Sequence, residues 1–175
     1  MKQKTCKQCG ELFEPERPFQ KCCGFKCAIE YAKDQREKKE SKELKVRVIN
    51  AKPRSYWIKR AQAAFNAYIR QRDADQPCIS CQRHHAGQYH AGHYRTVGSC
   101  PELRFDEDNC HKQCAPCNNH LSGNLVKYRV NLIFKIGIER VEWLEGNHEA
   151  THYSIDDIKQ IEKTYKEKLK KLIKT

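Results

Sequence analysis

Two Cys-x2-Cys hooks, Cys78-x2-Cys81 and Cys114-x2-Cys117, constrain this chain more than any other feature. Four thiolates complete a tetrahedral Zn²⁺ shell with no open position, so such an ion is structural. It also ties both ends of the segment between the hooks to one point. A structural zinc contributes on the order of 10 kcal/mol to folding. The chain has need of that contribution, because only 38% of its 175 residues are hydrophobic and 32% are charged. Small elements stapled by metal are therefore expected, rather than one large core.

A second quartet lies near the start. Cys6-x2-Cys9 is followed by Pro15, Pro18, Cys22, Cys23 and Cys27. Cys6, Cys9, Cys23 and Cys27 are the expected ligands of a second zinc, because a Cys-x3-Cys pair can open a helix with its second cysteine in the first turn. Cys22 is then spare, and Cys100 and Cys110 have no partner hook and read as ordinary thiols. Eleven cysteines arranged as hooks point to metal rather than disulfides. The first ten residues are polar and carry a hook, which is unlike a signal peptide. No apolar run approaches the roughly 18 residues of a membrane span. A cytoplasmic protein with no membrane partner is expected, and no small-molecule substrate is indicated.

The remaining segments read mostly as helices. Residues 28–48 are rich in Lys, Glu, Arg and Gln without Gly or Pro, which predicts a solvated helix with many i,i+4 charge pairs. Pro53 interrupts it, and Ser55 is placed to cap a second helix ending near Asp75. Trp57, Ile58, Ala61, Phe65, Tyr68 and Ile69 form the apolar stripe of that helix. Short helices are expected over 125–136 and 139–144, with Gly137 between them. Ser154-x2-Asp157 reads as a capping box, with Tyr153 and Ile158 as a staple. Ile158, Ile161, Tyr165, Leu169 and Leu172 then mark the buried face of a closing helix. Four parts follow: a zinc module over 1–28, a basic helix over 29–52, a zinc-containing domain over 53–146 and a terminal helix over 147–175.

The charge of +12 and the pI near 9.2 favour a polyanionic partner, nucleic acid first. Residues 28–60 carry eleven Lys or Arg against five acids. Any chemistry falls to the segment between the central hooks. Tyr89–Tyr94 alternates as a strand would, Cys110–Gln113 leads into the second hook, and Asn118, Asn119 and His120 are placed to begin a helix. His84, His85, His148 and His152 read as surface or loop histidines. Strand, strand and helix around one zinc make an α+β, mostly helical chain with a small zinc-stapled ββα-metal core flanked by helices.

That layout, with Asn109 five residues before Cys114, resembles a zinc-containing HNH endonuclease. Lys-Pro-Arg-Ser-Tyr-Trp-Ile-Lys at 52–59, Ala-Gly-His-Tyr-Arg-Thr at 91–96, His-Lys-Gln-Cys at 111–114 and Ser-Gly-Asn-Leu-Val at 122–126 resemble the NinG (Rap) recombination proteins of lambdoid phages. The likeness covers nearly the whole chain. It implies an endonuclease in the cytoplasm of a bacterial host, acting on branched double-stranded DNA such as Holliday junctions and D-loops. His93 matches the general base, and a free imidazole pKa near 6.5 suits that work. Asn109 matches the residue that holds the loop behind it, and His120 the final His of the motif. Asn118 matches a ligand of one catalytic Mg²⁺ or Mn²⁺. Many relatives of the HNH type carry Asp just before the catalytic His, where this chain has Gly92. His90 is the substitute if a bulge turns it round, since strict alternation puts His90 and His93 on opposite faces. Asp106, Asp108 and Asn124 are further candidates for that ligand. Arg95 and Arg104 are candidate phosphate contacts. Two cuts across a four-way junction call for two sites, hence a possible homodimer through the helices at 28–48 and 154–175. A non-catalytic zinc-dependent DNA-binding accessory to recombination is the competing expectation.

Overall fold

The computed structural model describes residues 2–174, which form two compact units, residues up to 52 and residues from 53 onward. The first unit is built around the N-terminal cysteines. Strand β1 (Lys4–Thr5) pairs antiparallel with β2 (Leu12–Phe13), Lys4 opposite Phe13. Helix α1 (Phe25–Asn50) follows, and none of its side chains is buried. Its exposed face carries the ion pairs Lys33–Glu37, Arg36–Glu40 and Lys39–Glu43. Each contributes only about 0.3–0.5 kcal/mol. Twenty-six residues make a rod about 39 Å long held by local interactions.

The second unit has three layers, with a two-stranded hairpin between two helix pairs. Helix α2 (Arg54–Arg72) starts one residue before Ser55, because Pro53 sits at the cap with extended backbone. Ser55 therefore lies inside the first turn and does not cap it. The expected stripe buries Trp57, Ala61, Phe65 and Ile69, with Ala64 beside them. Strands β3 (Tyr89–His93) and β4 (Cys110–Cys114) pair antiparallel with no bulge, Tyr89 opposite Cys114 and His93 opposite Cys110. Helices α3 (Leu125–Ile136) and α4 (Ile138–Glu145) share Gly137, whose φ of 85° ends the one and opens the other. Helix α5 (Ile155–Lys174) closes the unit. Its capping box is formed: Ser154 N–H donates to Asp157 Oδ2 at 2.9 Å, and Asp157 N–H donates back to Ser154 Oγ at 3.1 Å.

One core lies between the hairpin and α2 with α5, and gathers Trp57, Phe65, Ile69, Phe105, Cys110, Ile158 and Tyr165. Phe65 meets Phe105 and Tyr165 edge-on at 5.8 and 4.8 Å. The other core joins Tyr128 and Leu132 of α3 to Val141 and Leu144 of α4, together with Ile79, Tyr94 and Leu103. Leu172, expected on the buried face of α5, is exposed, because that face ends at Tyr165 and the last turns run past the core. Among the described residues, no helix is long and apolar enough to cross a membrane.

The third element of the expected ββα layout is altered. Asn118, Asn119 and His120 end a single π-helical turn, Pro116–His120, and do not open a long helix. Ser122, Gly123 and Asn124 follow with φ of 47°, 86° and 47°. Three left-handed residues cannot continue a right-handed helix, so the chain turns and α3 begins only at Leu125. The mixed, mostly helical class with two small sheets and two cysteine quartets stands.

Candidate functional site

Each quartet begins with the same knuckle. Cys6 N–H donates to the Glu11 carbonyl and Gly10 N–H to the Cys6 carbonyl. Cys78 N–H donates to the Arg83 carbonyl and Gln82 N–H to the Cys78 carbonyl in the same pattern. Both turns need a left-handed residue, Gly10 at φ 81° and Gln82 at φ 55°. Gln82 offsets some strain by donating its amide to the Ile79 carbonyl at 2.9 Å. Backbone N–H groups, that of Cys9 first, draw the Cys6 thiol down to about 6. Burial raises the Cys78 thiol, but the N–H groups of Cys81, Cys114 and Ser80 outweigh it and leave it lowered. A thiolate is the form that binds zinc, so both knuckles favour the ligating state.

The ligand sets are Cys6, Cys9, Cys23, Cys27 and Cys78, Cys81, Cys114, Cys117, each with its sulfurs within 4.8 Å of one another. Four convergent thiols fit Zn²⁺ and leave no position for chemistry. Cys22, Cys100 and Cys110 are buried outside both sets. Around the central quartet, His85 Nε2 lies 3.2 Å from Cys81 Sγ and Asn124 donates to Cys117 Sγ at 3.5 Å. Such contacts orient and tune metal thiolates. His85 is thus more than a loop histidine, and its place four residues after Cys81 is the sequence signal for it.

His93 ends β3 on the face turned toward α2, its ring 6.0 Å from that of Phe65. Its Nε2–H donates to the Arg104 carbonyl at 3.0 Å, and Nδ1 lies 3.7 Å from Cys110 Sγ. Burial lowers its pKa, so the imidazole is neutral at cellular pH. Asn109 is fully buried and clamps the loop that follows β3. Its side-chain amide donates to the Arg95 and Leu103 carbonyls at 3.0 and 3.1 Å, while its Oδ1 accepts Arg95 N–H at 2.7 Å. The loop so held includes Arg104, whose carbonyl fixes His93.

Gly92 has a steric reason. A Cβ there would stand 2.1 Å from Gln113 Oε1 and 3.0 Å from Gln113 Cβ. Gln113 is itself fixed by donating its amide to Ser80 Oγ and the Gly123 carbonyl. Tyr128 Oη donates to the Gly92 carbonyl at 2.9 Å, which brings α3 against the same place. No Asp fits at 92 without moving that network.

The other expected metal residues make contacts of their own. Without a bulge, His90 lies opposite Gln113 on the α3 side of the hairpin, the face away from His93. His90 Nε2 and Gln113 Oε1 are both buried without a hydrogen-bond partner. Asn118 donates to Asn119 at 2.8 Å, and His120 is exposed. Asp106 and Asp108 are both engaged by Arg140 at 2.8 Å. Arg95 reaches the Glu145 carbonyl and Cys100 Sγ, and Arg104 reaches Gln62, so both face the protein. Among the described residues, only the two cysteine quartets gather three or more His, Cys, Asp or Glu ligands around one point. The residues present do not form a ready Mg²⁺ or Mn²⁺ site.

The family model for the bacteriophage lambda NinG protein matches residues 1–175. The NinG proteins of Escherichia phage 933W and Escherichia phage lambda are each 46% identical to this chain, and that of Salmonella phage P22 is 45% identical. Each alignment covers 97% of this chain and 93% of the relative. No solved structure matches. With a family match over its full length and relatives this similar, the chain belongs to the NinG family of lambdoid phages.

Proposed function

We propose that this protein is an HNH-type endonuclease that hydrolyses phosphodiester bonds of branched DNA recombination intermediates, Holliday junctions and D-loops among them. The observation that carries the reading is the linkage of His93 to Asn109 through one loop: Asn109 clamps the segment whose Arg104 carbonyl holds His93 Nε2–H. Fixing one ring nitrogen as the donor leaves Nδ1 as the basic nitrogen, and burial keeps it unprotonated. In hydrolysis the attacking water gives its proton to His93, the bond from phosphorus to the 3′-oxygen breaks, that oxygen takes a proton from solvent, and a 5′-phosphate and a 3′-hydroxyl remain. The net charge of +12 suits the substrate. Mg²⁺ or Mn²⁺ is a required addition on this reading.

A second reading has its own support. His93 Nδ1 faces the Cys110 thiol inside the core, and His90 lies on the opposite face of the hairpin. That arrangement suits a zinc-dependent DNA-binding accessory of recombination that cuts nothing. One assay separates the two. A synthetic four-way junction and a matched linear duplex are incubated with the zinc-loaded protein, with and without Mg²⁺ or Mn²⁺. Junction cleavage that falls roughly 10²–10⁴-fold in His93→Ala, with zinc content and binding retained, supports the nuclease. Binding without cleavage under either cation rejects it in favour of the accessory role.

A further inference from the structure

Helix α5 carries a row of cations that neither the zinc sites nor the His93 loop uses. Lys159, Lys163, Lys166 and Lys170 recur at steps of four, three and four residues, so they share one helix face. They line a groove against Trp57 of α2, with Glu162 and Glu167 as its only acids. Glu162 is buried and already neutralised: Arg60 grips both its oxygens, and Lys166 bonds it as well. Lys159 lies 4.9 Å over the Trp57 ring and 3.2 Å from Asp156. Lys163 is exposed, as is Lys170, and neither has an acidic partner among the described residues.

The groove wall includes a buried polar group. Trp57 is 6% exposed, and its indole N–H is buried without an acceptor. A buried donor left unpaired costs about 1–3 kcal/mol. That donor is out of reach of solvent, so it is the excess of lysines along the groove that makes a place for an anion. The row spans about 16 Å of helix axis, while phosphates of one DNA strand advance about 3.4 Å each along the duplex axis. Several consecutive phosphates can therefore lie along it.

We infer that the α2–α5 groove binds the phosphodiester backbone of DNA, with Lys163 and Lys170 as its principal contacts and Lys159 and Trp57 as its wall. The inference rests on the proposal that DNA is the substrate. It adds where that substrate is held, on an element apart from the hairpin bearing His93. Contact there is to backbone rather than to bases, so it contributes affinity and orientation without sequence preference.

The test is a salt titration of binding to a labelled four-way junction, without added Mg²⁺ so that no strand is cut. Wild type is compared with Lys163→Ala/Lys170→Ala and with Lys163→Arg/Lys170→Arg. Alanine is a good helix former and both positions are exposed, so α5 should be kept. The alanine pair should lower the slope of log K against log salt by roughly 2 and weaken binding on the order of tenfold at ~0.15 M salt. The arginine pair should keep the wild-type slope. An unchanged slope in the alanine pair overturns the inference, as does an equal loss in the arginine pair or no binding by wild type. An acidic protein partner for this groove would leave junction binding unchanged, which also overturns it. Cleavage with Mg²⁺ is scored separately. A protein that cuts junctions with unaltered salt dependence keeps the nuclease and loses this groove, and one that cuts nothing yet shows the slope change does the reverse.

Discussion

The two cysteine quartets share a knuckle but sit in different surroundings. The central one is buried at Cys78, Cys114 and Cys117, and the hairpin it closes is packed on both faces by helices. In the N-terminal one only Cys6 is fully buried, and its two strands have two residues each. No side chain of α1 is buried behind it. In the first unit a bound zinc would itself be the core, whereas in the second it would staple an existing one. A shared motif thus does unequal energetic work, according to how much apolar surface surrounds it.

Zinc removal should expose that inequality most strongly. With a chelator in excess, residues 4–24 should lose hydrogen-exchange protection completely, a loss on the order of 10 kcal/mol. The α2–α5 pair should keep most of its protection, because Phe65, Ile69, Ile158 and Tyr165 remain packed. Equal loss in both units would erase the contrast between them. Next in size is core truncation. Phe65→Ala should cost about 3–5 kcal/mol in chemical denaturation of the second unit. Leu44→Ala on α1 should stay within about 0.5 kcal/mol, since Leu44 is exposed.

Acid should also act on the second unit. Burial, then the positive charges of Lys135 and Arg72, pushes His111 down to about 3, and burial lowers His93 too. A histidine kept neutral in the fold binds its proton more readily when unfolded. Stability is thus full above about pH 6.5 and falls as pH drops from there toward 3. With zinc held saturating, His111→Gln should flatten the stability profile between about pH 6.5 and 4.5. An unchanged slope would show that His111 is not a buried neutral group. The smallest effect distinguishes the knuckles themselves. Gln82→Gly relieves a left-handed residue and should be neutral or stabilising by up to about 1 kcal/mol. Gly10→Ala should destabilise the first unit for the converse reason, which thermal unfolding of each variant can check.

Much of this arrangement is legible in the sequence because hooks, caps and stripes are local signals. The choice of Cys23 over Cys22, the span 125–136 and the Ser154–Asp157 box all follow from residues a few places apart. What is not legible depends on which face meets which helix. Gly92 reads as a missing ligand until Gln113, across the hairpin, is seen to occupy the space its Cβ would need. The end of the turn after His120 depends on three consecutive left-handed residues, of which only Gly123 signals itself in sequence. His90 and His93 depend on whether a bulge is present, and alternation alone gives their opposite faces. The cysteine scaffold is therefore a property of spacing, while the surroundings of His93 are a property of packing.

The central claim is that His93, held neutral by burial and fixed by the Arg104 carbonyl, is the base that cuts branched DNA. The most direct test is the pH dependence of single-turnover cleavage of a four-way junction with saturating zinc and Mg²⁺. The account predicts a rate that stays on its plateau below about pH 6.5, because the His93 pKa is lowered, and that declines only in stronger acid. The decline should vanish with the activity in His93→Ala. A junction left uncut at every pH, or a His93→Ala protein that keeps the wild-type rate and profile, would contradict it.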